Sequence, residues 1–425
     1  MTRAPAHPHS GARDSLTYST FASLAMWAWV LYGFGSMLPL LRAEEGASRT
    51  LMGMHSFALS LGAIVAGLTF VPLVARLQRR GAALLGMSMI VVGTVALCLV
   101  VSPVVTLPAA LVGGIGGSMV INATTAAVTQ HHGPSGGAIL SESNAVAALV
   151  GLVAPLAVGL SASLGWTWRP ALLVVLPLTG LAAWMLRRIP RGWPEVDGTP
   201  AGQAPATSPR AAAQLDGALP DHLEPDQVES GGRRERLPLG FWLLLCSIMA
   251  TAGIEFCCTS WAADLLRQRT SLSASSSSAS VSIFVGGLFV GRSLAGRFAR
   301  RQRSEPILMG ALVVIIGGWA VLWLSHAALP ALAGLALLGV GVSVQYPLTA
   351  GLAYATATHA GDRVSGALSL FVGTAAGVAP FVIGAVADAT STHTAFVLVP
   401  LLALTALGLL LARDYAAQRG AAVRV

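Results

Sequence analysis

Val71-Pro72-Leu73-Val74-Ala75-Arg76-Leu77-Gln78-Arg79-Arg80-Gly81 is a short basic joint between two long apolar runs, residues 51–75 and 81–101. An α-helix rises about 1.5 Å per residue, so about 20 apolar residues cross the roughly 30 Å of hydrocarbon in a bilayer. Each flanking run has that length, and three arginines between them have no place in lipid. The joint therefore reads as the turn of a membrane hairpin.

The whole chain repeats this pattern. Of 425 residues 54% are hydrophobic and 10% charged, with mean hydropathy +0.71; soluble domains carry about 25% charged residues. Breaking the apolar runs at charged, Pro/Gly or Ser-rich joints predicts twelve spans: 17–41, 51–75, 81–101, 104–129, 138–163, 167–186, 239–263, 274–299, 306–325, 328–356, 364–387 and 394–411. The fold class is all-α, a polytopic membrane protein, which excludes a soluble enzyme, a nucleic-acid binder and a secreted disulfide scaffold.

The basic residues are all arginine. Threading the spans puts 20 of the 26 on the face of the N-terminus, five opposite (Arg42, Arg49, Arg169, Arg267, Arg269) and Arg292 within a span. Cytoplasmic loops hold the excess of positive charge, so both termini are expected in the cytoplasm of a plasma-membrane protein. The same tally accounts for the pI of about 10.1 without nucleic acid. Residues 1–16 form a polar tail with no cleavage signal expected, and 414–425 a second tail. Cys98, Cys246, Cys257 and Cys258 lie in apolar stretches, as packing residues. The segment from Ile189 to Leu237, rich in Ala, Pro, Gly and acids, is expected to be a disordered cytoplasmic linker, separating a six-helix bundle over 17–188 from a second over 238–413.

Two local matches relate these halves. Ala75-Arg76-Leu77-Gln78-Arg79 aligns with Ala299-Arg300-Arg301-Gln302-Arg303 at an offset of 224, and Val153-Ala154-Pro155 through Gly159 with Val378-Ala379-Pro380 through Gly384 at 225. Six spans per half give both repeats the same orientation, related by an axis along the membrane normal. Two such bundles enclosing a central site can rock about it, which points to transport.

On these residues the chain resembles the major facilitator superfamily. The joint at 71–81 is similar to that family's Gly-x-Leu-Ala-Asp-Arg-x-Gly-Arg-Arg loop, with Ala75 in place of the Asp and Val71 and Gln78 in place of the glycines. Gly291-Arg292-Ser293-Leu294-Ala295-Gly296-Arg297 is the second copy. The resemblance implies gating roles for Arg76, Arg80, Arg292 and Arg297. Gly253-Ile254-Glu255-Phe256 with Trp261 and Gly291-Arg292 resembles the fucose–proton symporter branch. That branch couples protons through carboxylates in spans 1 and 4, where this chain has none between Asp14 and Glu44 or between Gly81 and Ser141.

Glu255 is the one acid placed clearly within a span. A charge there costs about 2.5–3.5 kcal/mol on insertion scales, which suits a proton-coupling site facing a cavity or a hydrogen-bonded group in helix packing. Depth along the helices separates it from Arg292, set a turn above the cytoplasmic surface. Asn122, Gln345 and Tyr346 occupy matched places in the repeat at offset 224 and would hydrogen-bond a polar solute or tie helices together. Tyr32 and Trp261 offer aromatic faces to a substrate or to lipid. No Walker loop, Gly-x-Ser-x-Gly or His-Glu-x-x-His occurs, so no enzyme activity and no cofactor are expected. The expected function is proton-coupled transport of a sugar or metabolite; the alternatives are drug or metabolite efflux by proton antiport and, remotely, a permease-like sensor. The expected partners are the small solute, protons and membrane lipid, with no nucleic acid, and the chain is expected to act as a monomer.

Overall fold

The computed structural model describes residues 13–132, 136–189, 237–298, 304–356 and 361–422, so most of the 189–237 linker lies outside the described residues. The described chain is helical throughout, with eleven helices long and apolar enough to cross a membrane. One of them, Arg49–Leu99, has 51 residues. A straight helix of that length would exceed twice the hydrocarbon thickness. Gln78 (φ 60°, ψ 165°) breaks it into 49–77 and 79–99. Gly62 and Gly93, set almost evenly before and after Gln78, both close on residues 109–115 of one neighbouring helix. The chain thus folds back, and among the described residues the spans number twelve.

Span 1 is Ser15–Glu45, spans 2 and 3 divide at Gln78, span 4 is Pro103–His132, span 5 Glu142–Ser163 and span 6 Arg169–Arg188. The second half runs Leu239–Arg269, Ala274–Ser293, Ser304–Leu324, Ala328–Ala353, Gly366–Ala389 and Thr392–Ala416, spans 7 to 12. Asp14, Ser48 and Ser273 cap spans 1, 2 and 8, each accepting a main-chain N–H three residues on, as side-chain oxygens at helix starts do.

The repeat is written in backbone contacts. A Cβ on Gly62 would meet Leu111 O, and one on Gly287 would meet Ala336 O. Gly114 abuts Leu59 O and Gly339 abuts Phe284 O; Gly116 abuts Gly86 O and Ile90 N, and Gly341 abuts Ala311 O and Ile315 N. Each of these residues is related to its mate by the single offset 225, as are the capping serines Ser48 and Ser273. Small residues let helix backbones approach this closely where no hydrophobic force draws them together in lipid. The same offset pairs Asn122 with Pro347 and Ile121 with Tyr346, one position from the alignment expected for Asn122.

The halves meet along two crossed pairs. Span 2 packs on span 11, with Gly53 against Phe381 and Gly377 against Phe57 and Ser60. Span 5 packs on span 8, with Gly159 against Ser275 and Ser282 Oγ donating to Leu152 O at 2.6 Å. Gly159 and Gly384 are repeat mates, and each rests on main-chain oxygen at the start of the opposite half's span, Ser275 and Arg49.

Gln78 holds a φ/ψ combination that glycine adopts freely and other residues adopt at a cost of about 1–3 kcal/mol. Gln78→Gly is therefore expected to raise the unfolding free energy in detergent by about 1 kcal/mol, read as a higher melting midpoint. A lower midpoint would mean that the amide side chain carries an interaction outweighing the backbone strain.

Candidate functional site

Between the halves lies a cavity of about 730 Å³, lined by spans 1, 2 and 4 on one side and 7, 10 and 11 on the other. Tyr32, Asn122, Glu255 and Tyr346 all line it. Trp261 and Gln345 do not. Trp261 is six residues beyond Glu255, which turns it about 120° around the helix; it is buried and donates its indole N–H to Pro380 O at 2.9 Å, tying span 7 to span 11. Gln345, 1% exposed, donates to Leu308 O at 3.2 Å, and its Oε1 has no hydrogen-bond partner among the described residues.

Among the described residues Glu255 is the only charged one in the lining. Among the described residues no hydrogen bond reaches its carboxylate, and Arg292 Nη2 stands 4.0 Å from its Oε1. The expected separation of these two charges does not hold, for a reason of side-chain direction. Cα–Cβ bonds tilt toward each helix's own N-terminus, and spans 7 and 8 are antiparallel. Glu255 therefore leans toward the arginine-rich end while Arg292 leans away from it, and the two long side chains close the gap in depth.

The rest of the lining combines Ser56, Ser60, Ser118, Thr259, Ser260 and Ser369 with Trp27, Phe34, Phe256 and aliphatic side chains. Several hydroxyls are spent within the protein: Thr259 Oγ1 donates to Glu255 O at 3.1 Å, and Ser56 Oγ lies 3.4 Å from Ser260 Oγ across the halves. The stripe at residues 56, 60, 63 and 67 of span 2 is small residues at helical spacing, a sequence signal for a cavity face that neither charge nor aromatic character marks.

Spans 2 and 11 touch at Arg49–Gly384, at Phe57–Gly377 and, more loosely, at Ile64–Gly373, then part. Beyond that level Leu68 and Leu370, both exposed, line the cavity mouth toward the arginine-rich end. The opposite end is sealed by charge. Asp264, 1% exposed, takes Arg42 at 2.9 Å and Arg49 at 3.0 Å from the first half, with Gln268 at 2.9 Å and Thr392 at 2.5 Å from its own. Asp388 accepts Arg49 N, Thr50 N and Thr50 Oγ1 at 2.8, 2.7 and 2.6 Å, capping the start of span 2 from the other half.

At the arginine-rich end the described hydrogen bonds stay within a half. Arg80 reaches the carbonyls of Arg187 and Ile189, Arg79 contacts Gln130, and Arg413 pairs with Glu305. Arg76 is exposed. The side chain of Arg297 lies outside the described residues. Burial alone would raise the Asp14 carboxyl, but Thr17 N–H and Oγ1–H and His131 donate to it and hold it below the usual carboxylate range.

Two crossed helix pairs, a cavity shared by both halves and an internal repeat of constant offset agree with the family match, which covers the Major Facilitator Superfamily over residues 18–370. The chain belongs to the major facilitator superfamily. No curated protein matches it significantly. Among solved structures it is similar to a variant of the E. coli fucose:proton symporter (14% identity, 93% of this chain and 98% of that one, TM-score 0.60). A bacterial homolog of the human lysosomal transporter Spinster, inward-facing and unoccupied, shares 16% identity over 95% and 98%, TM-score 0.66. A mutant of the nucleoside transporter NupG shares 13% over 94% and 98%, TM-score 0.67. At these identities the likeness is one of fold. As a superfamily member this is a multi-pass membrane protein of a transporter family.

The seal sets a measurable expectation. Asp388→Ala removes three hydrogen bonds between the halves, each worth about 1 kcal/mol. Alkylation of Ser56→Cys from the sealed side by a membrane-impermeant maleimide is expected to rise on the order of tenfold or more. An unchanged rate would show that the seal does not depend on this cap.

Proposed function

We propose that this superfamily member is a proton-coupled secondary transporter, in which Glu255 carries the coupling proton and the two bundles rock about the cavity it faces. The observation that carries this is Glu255 itself: a half-buried carboxylate, 4.0 Å from Arg292, and among the described residues the lone charge in the lining, with no hydrogen-bond donor. A carboxylate held away from water requires a proton or a cation to offset its desolvation. Arg292 at that distance offers a partner that Glu255 engages when ionised and releases when protonated.

The solute is a small metabolite or sugar that meets Tyr32, Asn122 and Tyr346 through hydrogen bonds and rests its less polar faces on Trp27 and Phe256. The second reading, drug or metabolite efflux by proton antiport, is favoured by how much of the lining is apolar. Trp261 and Gln345 support the site from behind, by fixing span 7 to span 11 and span 10 to span 9. Arg80 and Arg292 act in gating at the cytoplasmic end, with Arg76 and Arg297 at the same surface. The arginine bias of the loops supports cytoplasmic termini in a plasma membrane, and hence a cytoplasm-open cavity with an extracellular seal. Nothing in this scheme needs a cofactor, a catalytic step or a second subunit.

In proteoliposomes with an imposed pH gradient, Glu255→Gln is expected to lose gradient-driven accumulation by tenfold or more while solute exchange without a gradient persists. A panel of sugars, organic acids and lipophilic drugs supplies the substrate, and the direction of accumulation separates symport from antiport. Full gradient-driven accumulation by the variant would contradict the coupling role.

A further inference from the structure

Away from the cavity, at the sealed end of the first half, spans 1, 2 and 4 bring together Glu45, His55 and Thr106. His55 and Thr106 are 0% exposed. His55 Nδ1 lies 2.8 Å from Leu51 O, and its Nε2 lies 2.8 Å from Thr106 Oγ1. Thr106 Oγ1 is in turn 2.9 Å from Glu45 Oε1 and 3.1 Å from Ser102 O. Glu45 Oε2 is buried with no hydrogen-bond partner among the described residues.

Counting hydrogens decides what this arrangement holds. A carbonyl only accepts, so the hydrogen of a neutral His55 sits on Nδ1 and faces Leu51 O, leaving Nε2 a bare lone pair. An ionised Glu45 is also acceptor only. Thr106 has a single hydroxyl hydrogen, so it can satisfy one of Nε2 and Oε1 and would set its own lone pairs against the other at hydrogen-bonding distance. Both contacts become hydrogen bonds only when one further proton is present, on His55 Nε2 or on Glu45. If the Thr106 hydrogen goes to Ser102 O, two are needed.

We propose that Glu45, Thr106 and His55 form a proton-binding site at the sealed end, separate from Glu255. The proton is shared through the hydroxyl: Glu45 Oε1–H donates to Thr106 Oγ1 and Thr106 to His55 Nε2, or His55 Nε2–H donates to Thr106 and Thr106 to Glu45. Most of the surrounding charges are already committed. Glu44 is held by Arg169 at 2.7 Å and by Trp168 Nε1 at 3.1 Å. Arg42 and Arg49 go to Asp264, and Asp388, on span 11, caps residues 49 and 50. Arg267 adds a second positive charge near Arg42, but among the described residues no cation forms a salt bridge with the Glu45 carboxylate, so none there replaces the proton. Its loss also leaves a bare carboxylate one turn from Arg42, in competition with Asp264 for the seal.

The test is the melting midpoint of the purified full-length protein against pH, for the wild type, Glu45→Gln and His55→Gln. A glutamine at either position supplies a fixed N–H to Thr106 and makes the extra proton unnecessary. The wild-type midpoint is expected to fall by several degrees as rising pH strips the proton from the native state, and the alkaline fall is expected to be absent in both variants. Parallel alkaline falls in all three proteins would overturn the proposal. Should neither variant fold, a Glu255→Gln protein removes the cavity acid. In that protein the proton is read directly, as a deuterium-sensitive carboxylic C=O infrared band or an imidazolium 15N signal. Absence of both at neutral pH would overturn the site.

Discussion

Lipid offers no hydrogen bonds, and that single constraint organises this molecule. Every backbone polar group in the hydrocarbon must be paired within the protein, so the chain crosses as helices. Charges are driven to the ends: among the described residues Arg76, Arg79, Arg80, Arg187 and Arg188 to one face and the paired acids Asp264 and Asp388 to the other. Whatever polar group stays inside must be answered by another, as Glu255 and Arg292 illustrate in the cavity and Glu45, Thr106 and His55 at the sealed end.

Within that constraint the architecture comes from close packing. Apolar side chains gain nothing by leaving lipid for one another, so helix association rests on backbone approach and on interhelical contacts. The glycine pairs related by the repeat show the same solution used twice, down to the carbonyl each glycine meets. The symmetry fails at the seal. Asp388 caps span 2 from across the interface, while its repeat mate Ser163 donates to Leu160 O within its own helix. One crossed pair of spans thus carries an acid seal that the other lacks.

Much of this was legible in the sequence because it is local or periodic: the twelve spans, the repeat, and the placement of Tyr32, Asn122, Glu255 and Tyr346 along helices that turn out to line one cavity. What escaped depends on direction and distance. Trp261 turns to Pro380 because six residues rotate a side chain away from the face of Glu255. The meeting of Glu255 with Arg292 follows from opposed side-chain tilts, which counting depth by Cα position ignores. The seal joins Arg42 and Arg49 to an acid in the other half of the chain, and no spacing rule links them. The break at Gln78 was visible as a basic joint, but the glycine-like conformation there was not.

Rocking about the cavity requires that the halves exchange which end of it is open. Double electron–electron resonance on labels at Val71 and Leu370, near the open mouth, and at Ala43 and Thr390, beside the seal, measures both ends in one protein. Two distance populations are expected at each end, with weights that move in opposite directions when pH is changed: the first pair closing as the second opens. Distances that stay single at both ends across pH, or that lengthen together, would contradict it.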